Sequence, residues 1–190
     1  MKKNFIQDKE FNRIDFTKNE IEYSDYENCT FVNCDFSNTN LSEINFLECE
    51  FDACNISTPQ LNKTSFCDVR FRNCKMLGAQ FDKCNKMLFT VDFEGCQLDL
   101  SSFYDLDLKN SKFKDCSLTE VDFIESDLSG MDFISCDLSR AIFENTVLRK
   151  ADFRTSFNYS IDPGLNQIAK AKFSLEDVRG LLKKHDIIID

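Results

Sequence analysis

The chain has 190 residues, 42% of them hydrophobic and 29% charged, and a net charge of −10. That length fits one or two domains, and the charge excludes free nucleic acid as a direct partner, because phosphate binding draws on basic patches; a basic protein surface is the natural target. No apolar run approaches the ~18 residues of a membrane span. The start Met1-Lys2-Lys3-Asn4-Phe5 lacks the apolar stretch of a secretory signal, so the expected compartment is the cytoplasm, where the ten cysteines stay reduced.

From Ile6 onward, large apolar residues recur every five positions: Ile6, Phe11, Phe16, Ile21, Tyr26, Phe31 and so on to Phe81, then from Phe93 to Phe153. A small or medium residue sits two positions before each centre, as at Cys29, Cys34, Ser101 and Ala151. Asp or Asn often sits immediately before it, as in Cys34-Asp35-Phe36. Small and polar residues there suit tight turns. A period of five fits neither a helix nor a flat strand, but it fits a coil that turns a corner every five residues. Every twentieth residue, with one step of twenty-two between Phe71 and Phe93, gives one column: Phe11, Phe31, Phe51, Phe71, Phe93, Phe113, Phe133, Phe153 and Phe173. These nine rings are the expected core stack of a rod about 40 Å long, with coils at the inter-strand spacing. A second column reads Cys34, Cys54, Cys74, Cys96, Cys116 and Cys136.

The step from Phe81 to Phe93 is two residues too long, which places a two-residue insertion near 84–90. With Leu88 as the inward centre, Met87 and Phe89 point outward, as a small bulge or as a contact loop for a partner. Farther on, Ile161-Asp162-Pro163-Gly164 reads as a turn that distorts the last coil but keeps Ile168 and Phe173 in register. Ser174-Leu175-Glu176-Asp177 resembles a capping box and opens a short helix with an apolar stripe of Leu175, Val178, Leu181 and Leu182. Ile187, Ile188 and Ile189 read as a short strand. The expected organisation is a β-helix over 1–173 and a capping and dimerisation segment, helix plus strand, over 174–190. A stripe this apolar exceeds the needs of an end cap and points to a homodimer through the C-terminus, one patch meeting itself.

Nothing in the chain reads as catalytic. The cysteine spacings follow the repeat rather than the paired spacing of zinc sites, and buried cysteine packs as a small hydrophobe. His185 stands alone, and there is no nucleophile–base set and no phosphate loop. No enzyme activity, cofactor, metal or membrane contact is therefore expected. Charge is banded: acidic over 8–52, basic over 53–90, acidic again over 91–153.

Over roughly Ile6 to Phe173, the pattern of small residue, Asp or Asn, Leu or Phe, then two free positions resembles the pentapeptide-repeat family. The resemblance implies an all-β solenoid, a right-handed quadrilateral β-helix with four repeats to a coil. The tail, with Ile161-Asp162-Pro163, Asn166, Ala171-Lys172-Phe173-Ser174, Gly180-Leu181-Leu182 and Ile187, is similar to the C-terminal module of Qnr-type members. Qnr and MfpA proteins pair through their C-terminal ends, bind DNA gyrase and topoisomerase IV as mimics of duplex DNA, and blunt quinolones. Here the sole interruption is two residues, closer to the loopless MfpA pattern. By that resemblance the partner-binding acidic surface is Asp107, Asp122, Asp127, Asp132, Asp137 and Asp152. The competing reading is an interaction scaffold with no link to topoisomerases.

Overall fold

The computed structural model describes residues 3–188. The chain winds as a parallel β-solenoid in which each coil stacks on the one twenty residues earlier. Among the described residues, ten strands form one sheet. On the first face of the rod lie β1 (Asn4–Gln7), β3 (Ser24–Glu27) and β5 (Asn45–Leu47). On the second lie β2 (Glu10–Asn12), β4 (Thr30–Val32), β6 (Glu50–Asp52), β9 (Lys112–Lys114) and β10 (Phe133–Ile134). Two longer strands, β7 (Ser65–Arg72) and β8 (Phe89–Glu94), run across both faces. The third and fourth faces are joined by single bridges such as Asp35↔Asn55 and Asn40↔Gln60.

Corner chemistry follows from the repeat. At many corners the Asp or Asn before the centre accepts the backbone amide two residues on: Asp35 from Ser37, Asn55 from Ser57, Asp122 from Ile124, Asp127 from Ser129, Asp137 from Ser139. The residue two places after the centre then takes positive φ, at Asn33, Asn38, Ala53, Glu120 and many others. Left-handed backbone costs a residue with a Cβ about 1–2 kcal/mol. Leu100 adopts it, with φ 63°, and is 58% exposed, while Gly78 fills the same corner one coil earlier with φ 64°. Leu100→Gly is expected to raise stability by roughly 0.5–1 kcal/mol, the relief of strain outweighing glycine's extra unfolded-state entropy. A thermal melt no higher than the parent's would refute this account of the corners.

The interior is one continuous cluster from Phe16 to Ile161. Phe11, Phe31, Phe51, Phe71, Phe93, Phe113, Phe133, Phe153 and Phe173 stack in one column, ring centroids 4.7–5.7 Å apart. Phe11 and Phe173, at the two ends, are only half-buried. Nine cysteines are buried and Cys67 is partly exposed. Their thiols reach backbone carbonyls of the preceding coil, as Cys54 does to Phe31 and Cys74 to Phe51. Burial pushes the Cys49 thiol up to about 12 and raises Cys84 as well, so these groups stay neutral packing atoms.

Two expectations need correction. At the insertion Phe89, not Leu88, turns inward and pairs in register with Phe66, while Leu88 is half-exposed. Phe89 packs edge-on against Phe66 and Phe81, and a buried aromatic ring removes more apolar surface from water than leucine does. The C-terminal segment is not an α-helix. Ser174 does accept the Asp177 amide, as an N-cap would, but two short 3-10 turns follow, Val178–Leu181 and Lys183–His185. Gly180 explains the break: its carbonyl accepts the Ile161 amide, and a Cβ there would lie 2.4 Å from the Tyr159 carbonyl oxygen. Docking on Tyr159 overrides a helix too short to stand alone. Ile187 and Ile188 form no strand, and Ile189 lies outside the described residues.

Candidate functional site

The six aspartates of the expected acidic surface do not share one face. Asp107 and Asp127 bridge each other on the first face, and Asp132 and Asp152 on the second. Asp137 lies on the third, in register with Ser117, and Asp122 on the fourth, in register with Ser102. Residues five apart stand on successive faces of a square coil, so a charge repeated at that spacing encircles the rod.

Their surroundings differ. Lys109 sits between Asp107 and Asp127 at 3.0 and 3.1 Å. Arg154 and Lys172 both reach Asp152, at 2.7 and 3.1 Å, and with the Arg154 hydrogen bond foremost they hold its carboxyl well below the usual carboxylate range. Partial burial works against ionisation of Asp127 and Asp137. Hydrogen bonds outweigh it, from Ser129 and Lys109 to Asp127 and from Asn158 and Ser139 to Asp137, so both carboxyls are also lowered. All three are therefore anions at neutral pH. Asp107 and Asp132 are exposed; the other four are partly buried by their turns.

Half of the basic band over 53–90 is paired: Arg72, Lys83 and Lys86 meet carboxylates, while Lys63, Arg70 and Lys75 have no ion pair among the described residues. Arg72 contacts Glu50 at 2.6 Å and Glu94 at 3.9 Å, and Lys114 contacts Glu94 at 2.6 Å, which makes a ladder of alternating charge along the second face. Lys86 pairs with Asp105 at 2.6 Å. That contact also anchors the insertion, where the Asn85 side chain accepts the Met87 amide and Met87 stands 92% exposed. The sequence pattern points Met87 outward, but the tether from the neighbouring Lys86 to Asp105, nineteen residues away, is tertiary and leaves no mark in the repeat.

At the C-terminal end, Leu181 packs against the core. Leu175, Val178 and Leu182 are exposed, Leu175 to 90%, and Ile187 and Ile188 join them. The four residues expected at a dimer interface thus divide into Leu181, which docks the tail, Leu175, which faces solvent, and Val178 and Leu182, each about one-third exposed at 36%. Among the described residues, no group of three or more His, Cys, Asp or Glu side chains could hold a metal ion. No described helix is long and apolar enough to cross a membrane.

No curated protein matches the chain in sequence. Among solved structures it is similar to trypsin-treated variants of QnrB1, a plasmid-mediated fluoroquinolone resistance protein. One aligns at 18% identity and TM-score 0.60, covering 99% of this chain and 98% of that one. A second aligns at 16% identity and TM-score 0.61, over the whole of both. The full-length QnrB1 structure gives 18% identity and TM-score 0.55 over 97% of this chain. At such identities the likeness is one of fold. The model of the pentapeptide repeat region matches residues 24–87 and 86–157. With that match over most of the length, and a coil whose corners recur every five residues, the chain belongs to the pentapeptide-repeat family.

Proposed function

We propose that this protein is a non-enzymatic binder of a type II topoisomerase, DNA gyrase or topoisomerase IV, which it engages in the cytoplasm as an anionic rod in place of duplex DNA. The observation that carries the reading is the distribution of Asp107, Asp122, Asp127, Asp132, Asp137 and Asp152 over all four faces. A groove built to close around a duplex is basic on every wall, and a rod charged on every side can be held there. The net charge of −10 over the rod is one per about 4 Å, against about one per 1.7 Å for DNA, so local arrangement has to supply the match. Homodimerisation through Leu175, Val178 and Leu182 would lengthen the rod and set the acidic stretch 91–153 of each subunit beside the centre. Protection of the enzyme from quinolones is the expected consequence; it draws on the likeness in fold to QnrB1.

The test is binding to gyrase across a salt series, with wild type and with Asp127→Asn, Asp132→Asn and Asp137→Asn combined. Asn accepts the same turn amide that Asp does, as Asn55 shows with Ser57, so the variant keeps the rod. Complementary charge acts mainly on encounter rate and register. The expected outcome is salt-sensitive binding, competitive with DNA and weakened about tenfold or more by the triple change. Salt-independent, unchanged binding would discard the mimic mechanism. Absence of binding would favour the second reading, a scaffold for another protein, which the paired charges of Glu50, Arg72, Glu94 and Lys114 on the upper part of the second face and the exposed Met87 beside the Lys86–Asp105 tether support.

A further inference from the structure

The ladder between the first two coils opens on the fourth face. One coil below, the carbonyls of Ser57, Gln60 and Asn62 accept the amides of Asn38, Leu41 and Glu43, each at 2.9 Å, and the Gln60 amide donates to Thr39. The corresponding groups of the second coil are the carbonyls of Ser37, Asn40 and Ser42 and the amide of Asn40. Among the described residues they have no backbone partner. The chain that should cover them turns away, because the Asp15 carbonyl accepts both the backbone amide and the side-chain amide of Asn19.

The sequence explains the detour. Asn19 stands two residues before Ile21, in the inward small slot that Thr39, Ala79, Ser101 and Ala141 fill in lower coils, where all are buried. Asn19 is exposed instead. A buried amide needs partners for both its donors and its acceptor, and the first coil has none above it. What remains is an open cleft of about 630 Å³, with Phe16, Ile21 and Ile44 as its apolar wall. Its one charged lining residue is Glu20. Glu43, held by the Tyr23 hydroxyl at 3.0 Å, lies at the adjoining corner. Lys18, the nearby cation, is already paired with Asp15 at 2.6 Å.

We infer that this cleft binds a short extended peptide segment of another protein, with alternating basic and apolar side chains, by β-augmentation. Asn40, the single bridge residue between the turns at Ser37–Asn38 and Ser42–Glu43, presents a free amide and a free carbonyl, and another extended backbone satisfies both by accepting from one and donating to the other. In such a segment one side meets Phe16, Ile21 and Ile44, and the other presents its cation to Glu20 and Glu43. The site is distinct from the acidic stretch 91–153 and does not depend on topoisomerase binding.

The probe is a capped hexapeptide alternating valine and lysine, titrated into the full-length protein by calorimetry and by amide chemical shifts. Binding is expected, with shifts centred on Ser37 to Ser42. N-methylation of alternate backbone amides should weaken it about tenfold or more, since the methylated backbone cannot donate. Glu20→Lys with Glu43→Lys, both exposed positions, should weaken it comparably without lowering the melting temperature. Asn19→Ala, which supplies the small residue of the lower coils, should close the ladder, protect the Asn40 amide from exchange and abolish binding. No binding at millimolar peptide, or equal binding of the N-methylated peptide, overturns the inference. Spermidine binding as tightly as the peptide would make this a cation site, and that also overturns it. So would end-to-end self-association that the Glu20 and Glu43 reversals break, because the cleft would then belong to a second copy of this chain.

Discussion

Phe113→Ala is expected to lower unfolding stability by about 3–5 kcal/mol, the range for deleting a buried aromatic ring. Phe113 is fully buried. Its ring stacks on Phe93 at 5.2 Å and Phe133 at 5.7 Å, and meets Phe103 and Phe123 edge-on at 5.5 and 6.0 Å. Backbone ladders hold the coils above and below at fixed spacing, so the void cannot collapse as it could between mobile helices. Position along the rod matters too. Each coil is stabilised by its neighbours, and a defect in the middle weakens two interfaces while one at the end weakens one. Phe11→Ala is therefore expected to cost clearly less, since Phe11 is half-buried and stacks only on Phe31. Urea melts of the two variants make the comparison. Equal losses, or a loss under about 1 kcal/mol at Phe113, would mean that the column does not carry the fold.

The solenoid was legible because its information is local and repeated. Each corner needs a small inward residue, a turn-forming Asp or Asn and an apolar centre, and the sequence states that rule afresh every five residues. Features that break the rule were harder to read. Leu88 and Phe89 are both apolar neighbours of an inserted pair, and only packing against Phe66 and Phe81 decides which turns inward. The Leu175 to Leu182 stripe has helical spacing, but the contact of Gly180 with Tyr159 is tertiary and invisible in periodicity. For the acidic surface, the same period that sets the coil also assigns each carboxylate its face. A step of five changes the face and a step of twenty keeps it, so Asp127, Asp132 and Asp137 diverge while Asp132 and Asp152 align. One signal for the cleft was present in the sequence: Asn19 is the one amide in a column otherwise made of Thr39, Pro59, Ala79, Ser101, Val121 and Ala141.

At the C-terminal end, two variants that both abolish the proposed dimer are expected to differ in what else they lose. Gly180→Val places side-chain atoms against the Tyr159 carbonyl and ring, which already lie 2.4–2.9 Å from an added Cβ. Nothing there can yield cheaply, because one of the atoms is backbone. The tail is expected to undock, breaking the bond from the Ile161 amide to the Gly180 carbonyl and uncovering the last coil, at a cost of about 1–3 kcal/mol or more. An exposed solenoid end is a pairing edge, so this variant should aggregate on warming. Leu175→Glu with Leu182→Glu leaves Gly180 and Leu181 in place and alters one side chain that faces solvent in the single chain and one that is about one-third exposed, 90% and 36%. Its stability as a monomer is expected to change little, while self-association is lost, since a two-fold interface brings each new carboxylate near its own copy. Sedimentation equilibrium alongside thermal melts separates the two. A wild-type chain that remains monomeric at micromolar concentration would reject the dimer. A double-glutamate variant that still pairs would place the interface on another surface of the rod.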